Sequence, residues 1–353
     1  MSDTTPTFPV LAAPRNESGQ EVWVIPRPRP RWWLYALFFV LTMLSTTIVG
    51  ARMEFNYLQR QPVLSLNDDT IALFPIEWAL SPPSHLLLGL PFSLTLMFIL
   101  FAHEMGHYLY CRYYRVYATP PFFVPFPSLI GTLGAFIRIK SRIPSRAALF
   151  DIGIAGPIAG FVPSCLALVA GLSMSRPIHG PVFSEFQLGF PLAFDIAARV
   201  LHLGEPLSRL SLHPIAAAAW VGFFATSLNL LPGGQLDGGH ILYSISPRLH
   251  RAITLLTILA LVPLGKYQWT GWFLWAFLLA LTSRHPSVPR YPEVVGRRRL
   301  LSLCALVILV LSFTPAPFTH SSGKEVWPEL RNDIRDTVRG LRQDTQHLLR
   351  HHH

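Results

Sequence analysis

Residues 103–107 read His-Glu-Met-Gly-His. On a helix, His103 and His107 stand four positions apart and reach one face, where two imidazoles can hold a single metal ion. Glu104 falls beside them, placed to take a proton from water activated by that metal. This is the pattern of hydrolytic zinc chemistry. Its setting adds to its weight. Met97, Phe98, Ile99, Leu100 and Phe101 lead into it, and Tyr108, Leu109 and Tyr110 follow. Such a run is apolar enough to lie in a bilayer, where a carboxylate and two imidazoles are costly unless they do something specific. In an arbitrary sequence, a chance match on a soluble amphipathic helix is the commoner case. A second, matching element downstream argues against it here.

Two histidines leave a catalytic zinc one protein ligand short, because such sites usually take three protein ligands plus water. The candidate lies in Asn229-Leu-Leu-Pro-Gly-Gly-Gln-Leu-Asp-Gly-Gly-His240. Asp237 ends an apolar stretch there. Gly238 and Gly239 follow it and let the backbone turn sharply and approach a metal closely. Pro232 interrupts the helix, and the freed backbone groups need a cavity or neighbouring protein. In isolation Asp237 reads equally well as a helix-end turn acid; beside an incomplete zinc site it reads as the third ligand. His85, His202 and His213 fall at the opposite ends of their spans, too far to join. His240 reads either as a residue behind the ligand set or as a membrane-interface histidine.

The elements that must position these residues are membrane helices. Hydrophobic residues make up 51% of the 353-residue chain and charged residues 14%. Mean hydropathy is positive. Several apolar runs approach the roughly 20 residues that cross a bilayer. The expected fold is an all-α polytopic membrane protein with about six to seven transmembrane helices, a three-helix catalytic core and a membrane-associated β-hairpin or loop. The chain divides into a flexible arm (1–32), a first span with an outer loop (33–84), a catalytic membrane core (85–245), further membrane helices (246–314) and an outer amphipathic tail (315–353). Spans are read at 33–50, 85–110, 147–173, from 213 into the Asp237 motif, at 252–264 and 268–283 (a pair of spans or a re-entrant hairpin) and at 300–314, with loops at 51–84 and 174–211. Pro263, Gly265 and Lys266 separate the two members of that pair.

Basic residues give the orientation. With the N-terminus cytosolic, the inner loops carry thirteen Arg and Lys and the short outer loops six. Both motifs then end at the cytosolic side, at the same depth. The net charge of +10 follows from this topology and does not call for nucleic acid. The three cysteines are far apart, odd in number and without a C-x-x-C, which argues against a disulfide framework and a thiolate zinc site. No cleavable signal peptide is visible in the polar, Pro-rich first 30 residues.

With His103 to His107, Asn229, Pro232 and Leu236-Asp237-Gly238 in this order, the chain resembles the site-2 proteases, zinc metalloproteases that cleave within the membrane. Gly156-Pro-Ile-Ala-Gly160 is similar to that family's third-span element. The resemblance covers roughly residues 85–245. It implies zinc ligands His103, His107 and Asp237, Glu104 as catalytic acid and base, and Asn229 lining the substrate cleft. The loop after the third span, about 38 residues, is too short for a PDZ domain. The likeness is therefore to the branch without one, found in cyanobacteria and plant plastids. The segment Gly131 to Lys140, with Gly131, Gly134 and Ile137, offers a strand edge to an unwound substrate, or forms an ordinary membrane-surface hairpin.

The expectation is an intramembrane zinc endopeptidase of a bacterial inner (plasma) membrane. Its substrates are transmembrane proteins cut near the cytosolic face, and its surroundings are the lipid bilayer. The rival within enzymes completes H-E-x-x-H with a downstream Glu, whereas this chain offers Asp237. A catalytically silent binder or chaperone on the same scaffold would have no need of the buried Glu104. A transporter fits broken helices and intramembrane charges, but no inverted repeat is visible.

Overall fold

In the computed structural model, which describes residues 31–65, 74–178 and 187–318, the apolar runs are helices. The arm at 1–30 and residues 319–353 of the expected amphipathic tail lie outside the described residues. α1 (Trp32–Leu58) outlasts the expected first span by about two turns. α2 (Ile76–Leu80) and α3 (His85–Leu88) are short. α4 (Leu90–Tyr113) carries the H-E-x-x-H. β1 (Phe122–Pro125) and β2 (Thr132–Phe136) pair antiparallel, with a register shift at Pro125. α5 (Arg146–Met174) begins at Ser145, whose hydroxyl accepts from the Ala148 amide at 3.1 Å.

The stretch read as a loop at 174–211 is more ordered than expected. It holds α6 (Leu192–Val200), and β3 (Arg176–Pro177) pairs with β4 (Leu210–Ser211). A nine-residue amphipathic helix is too short to register as a span. Phe194 is its one buried residue, while Asp195 and Arg199 stay exposed. Then follow α7 (Pro214–Asn229), α8 (Asp237–Ile245), α9 (Pro247–Tyr267), α10 (Gly271–Leu281) and α11 (Arg297–Ser312). Pro263 and Gly265 do not end a segment as expected, because α9 runs through both to Tyr267. Gly265 instead admits the Phe273 ring of α10, which would stand 2.9 Å from any Cβ there.

Three of the described helices, α1, α5 and α9, are long and apolar enough to cross a membrane. The core is the α4–α5–α7 set, packed in close mutual contact. Small residues make that approach possible. A Cβ on Gly106 of α4 would lie 2.4 Å from the Ala155 carbonyl oxygen of α5, and one on Gly171 of α5 would lie 2.2 Å from the Ala216 amide of α7. α1 joins this core through polar contacts: Thr46 Oγ1 and Ser93 Oγ are 2.7 Å apart, and Ser45 Oγ donates to the Gly131 carbonyl at 2.6 Å. The second contact ties the β1–β2 ribbon to α1.

Candidate metal centre

α4 sets His103 and His107 one turn apart, with their Nε2 atoms 3.2 Å from each other. Asp237 is the first residue of α8. Its Oδ2 lies 3.3 Å from His103 Nε2 and 3.2 Å from His107 Nε2. A tetrahedral ion with bonds of about 2.0–2.1 Å holds its ligands about 3.3–3.4 Å apart. The three donors therefore already form one face of such a tetrahedron.

The chemistry of the donors agrees. His107 Nδ1 is 2.7 Å from the Ile152 carbonyl oxygen, which can only accept, so Nδ1 carries the hydrogen and the Nε2 lone pair faces the site. The Asn229 amide Nδ2, which can only donate, stands 3.3 Å from His103 Nε2, so this ring also turns an unprotonated nitrogen to the site, and a cation there would take its lone pair in the amide's place. Two ring lone pairs and a carboxylate converge on one point, and a cation fits it. Among the described residues this is the one group of three such side chains close enough to share an ion. The start of α8 also favours the negative charge of Asp237, since a helix N-terminus carries partial positive charge.

α5 forms the floor. A Cβ on Gly156 would fall 2.0 Å from His107 Nε2, and one on Gly160 would fall 3.0 Å from His103. Both glycines are cradles for the two rings. Glu104 is buried next to them, near the backbone of Ile137, just past β2.

Asp237 reaches the site through a broken helix. α7 stops at Asn229, and 230–236 form a turn in which Gly234 has φ +59. The freed backbone groups find partners on α9. Thr254 Oγ1 accepts from the Gly234 amide at 3.3 Å, His250 Nε2 donates to the Gly234 carbonyl at 2.9 Å, and Thr257 Oγ1 donates to the Pro232 carbonyl at 3.2 Å. Gly238 and Gly239 have a different role from the sharp turn and metal approach expected of them. They are helical, and their bare backbone lets α8 sit on the carbonyls of Leu230 and Gly234, 2.2 and 2.4 Å from where a Cβ would be.

The structure thus gathers His103, Glu104, His107, Asn229, Asp237 and the backbone of Ile137 at one point. It does not bring Gly131 there. That residue, with φ +83, packs under α1, where a Cβ would meet the Ser45 carbonyl at 2.8 Å. Gly134, with φ +102, has open space around it. His240, three residues after Asp237 on α8, has its Nδ1 2.8 Å from His285 Nε2. His85 stacks on Trp78, and His213 caps α7 by accepting from the Ile215 amide. Sequence reasoning missed the Ile152 carbonyl, which carries no side-chain signal, and His250 and Thr254. The signal for those two was present: two polar residues on an apolar helix that follows a broken one.

Residues 91–262, the segment that carries both motifs, match Peptidase family M50. A protein of Oryza sativa subsp. japonica described as "Probable zinc metalloprotease EGY1, chloroplastic" is 28% identical over 321 residues, covering 86% of this chain and 52% of that protein. "Probable zinc metalloprotease EGY2, chloroplastic" of Arabidopsis thaliana is 32% identical over 247 residues, covering 67% of this chain and 43% of that protein. The chain thus spans about half the length of these relatives. A solved site-2 protease from Methanocaldococcus jannaschii aligns with 67% of this chain and 82% of its own at 17% identity, with a TM-score of 0.26, too low for the two architectures to be equated. The likeness to the site-2 proteases first read from the two motifs holds over the matched segment.

Proposed function

We propose that this chain, a membrane protein whose catalytic segment is of the Peptidase family M50 type, is a zinc-dependent endopeptidase that cuts transmembrane segments of other membrane proteins. The single observation that carries this reading is the convergence of His103, His107 and Asp237 in a triangle with edges of 3.2 to 3.3 Å beside the buried Glu104. His103 Nε2, His107 Nε2 and Asp237 Oδ2 hold the zinc. When bound, it supplies the Lewis acidity that polarises a peptide carbonyl and makes water acidic. Glu104 takes the proton of the attacking water and delivers it to the departing amine. Asn229 lines the cleft and orients the substrate carbonyl.

A transmembrane helix hides its carbonyls in hydrogen bonds, so it unwinds before it is cut. β2 has one edge on β1, and among the described residues no strand pairs with its other edge. An unwound substrate adds there, running past Gly134 and Ile137. The site sits near the cytosolic face of a chain with a cytosolic N-terminus and about six to seven spans, of which α4, α5 and α7 form the catalytic three. The relatives' names place them in chloroplasts; the basic-residue bias equally suits a bacterial inner membrane.

The test is cleavage of a panel of transmembrane-helix substrates in detergent by the native chain and by Glu104→Gln, with zinc counted by elemental analysis. Cleavage by the native protein only, with about one zinc per chain in both, supports the proposal; the expected loss in Glu104→Gln is on the order of 10²–10⁴-fold. Equal cleavage by both proteins, or absence of zinc from both, sinks it.

A further inference from the structure

Between α10 and α11 the chain has no regular structure, yet it makes a series of specific contacts. This strap, residues 283–296, lies beyond the family-matched segment. At its start the Arg284 carbonyl accepts from Gln235 Nε2 at 3.0 Å, in the turn that leads to Asp237. His285 donates from Nδ1 to the Pro286 carbonyl at 2.7 Å, so the Nε2 of its neutral ring accepts from His240 Nδ1. The Tyr243 ring stacks on His285 at 3.9 Å between centroids. His240 and Tyr243 both belong to α8, the helix that begins with Asp237.

The strap then crosses to the other side of the site. The Pro289 and Pro292 carbonyls accept from the Arg146 and Ala147 amides, at 3.0 and 3.3 Å. These are first-turn donors of α5, left without partners inside their own helix. Just past the strap, Arg298 forks onto Asp151 of α5, with Nε 2.9 Å from Oδ1 and Nη2 2.8 Å from Oδ2. The Tyr114 hydroxyl, at the end of α4, donates to the same carboxylate, and Arg298 Nη2 also reaches that hydroxyl at 3.3 Å. Asp151 is the residue before Ile152, whose carbonyl fixes the ring of His107.

We infer that Arg298 is a positioning residue for the metal centre. It acts through Asp151 on the Ile152 carbonyl and hence on His107, while His285 at the strap's other end holds α8, and with it Asp237, through His240. The inference rests on the proposed zinc site. The physical reason is that α5 and α8 bring donors and cradle from separate parts of the chain. α5 and α8 pack on one another where Gly153 meets His240, and one continuous strap binds both from outside that contact. A bidentate, partly buried guanidinium–carboxylate pair restricts direction as well as distance, which a lone point charge does not. Groups that orient a metal ligand from behind typically change metal affinity about 10–100-fold when removed.

The experiment uses the full chain in detergent. Zinc affinity is measured by competition with a chelator, and the visible spectrum of the Co2+-loaded protein reports donor geometry. Native protein, Arg298→Ala, Arg298→Lys and His285→Asn are compared. Arg298→Ala is expected to bind zinc about 10–100-fold more weakly with a shifted Co2+ spectrum, and Arg298→Lys to recover part of both. A contact that merely stabilises the fold would lower the melting temperature and leave both readouts at native values; that result overturns the inference. Should Arg298→Ala not fold, His285→Asn decides it by the same two readouts. Native protein that takes up no zinc would sink the proposed function itself, a result distinct from native binding that the variants do not alter.

Discussion

The two halves of the metal centre are built by different means. His103 and His107 stand on one unbroken helix, and α4's own hydrogen bonds fix their spacing. Asp237 stands at the mouth of a broken helix, where the turn at 230–236 is held by side chains of α9 and its far side by the strap. The first half is local in its spacing and takes from α5 a floor and the Ile152 carbonyl that orients His107. The second is an assembly of four segments. In a site divided in this way one helix holds two of the candidate ligands and contacts between segments hold the third.

This contrast gives a graded set of outcomes. The largest effect is expected from Gly156→Ala, because the new Cβ would fall 2.0 Å from His107 Nε2 and that ring must leave its cradle. Zinc content should fall from about one per chain to near none, read by elemental analysis of the purified protein. Retention of full zinc would mean that α5 is not the floor of the site.

His250→Ala acts on the other half alone. It leaves the Gly234 carbonyl without its donor in a buried turn, at a cost of about 1–3 kcal/mol. Denaturation should register that loss, and chelator competition should show zinc bound about tenfold more weakly at an unchanged His103–His107 pair. Lost stability with native zinc affinity would mean that Asp237 does not depend on α9. Gly160→Ala is the mildest of the three. Its Cβ would meet His103 at 3.0 Å, a contact that a shift of a few tenths of an ångström relieves. An affinity change of only a few-fold is expected from it. If Gly160→Ala proved more damaging than Gly156→Ala, the two rings would differ in freedom in the reverse sense to their packing.

The same contrast governs what could be read in advance. The His103–His107 pair was legible because helical period and motif spacing are one fact. Asp237 was legible by ligand count and by the depth at which its span ends. Asn229 came in through family likeness, and it stands 3.3 Å from His103. Gly131 belongs by sequence to a segment that offers a strand edge or forms a surface hairpin, and in the structure its missing side chain makes room for α1. Gly238 and Gly239 read as turn residues from their place beside an acid at the end of a span, whereas they are helical. A glycine signals that something comes close without saying what.

By itself the sequence determined that this is a membrane protein with a hydrolytic metal motif at one end of a span and an acid at the end of another. Composition, period and spacing are properties of the chain read in order. Only the tertiary structure decided which carbonyl orients His107, which helix satisfies the broken turn before Asp237, and that residues 283–298 join α8 to α5. These are contacts between residues from 16 to 147 positions apart, and two of them are made to backbone carbonyls that every residue type shares. No local pattern encodes such a pairing, because it exists only once packing has closed the distance.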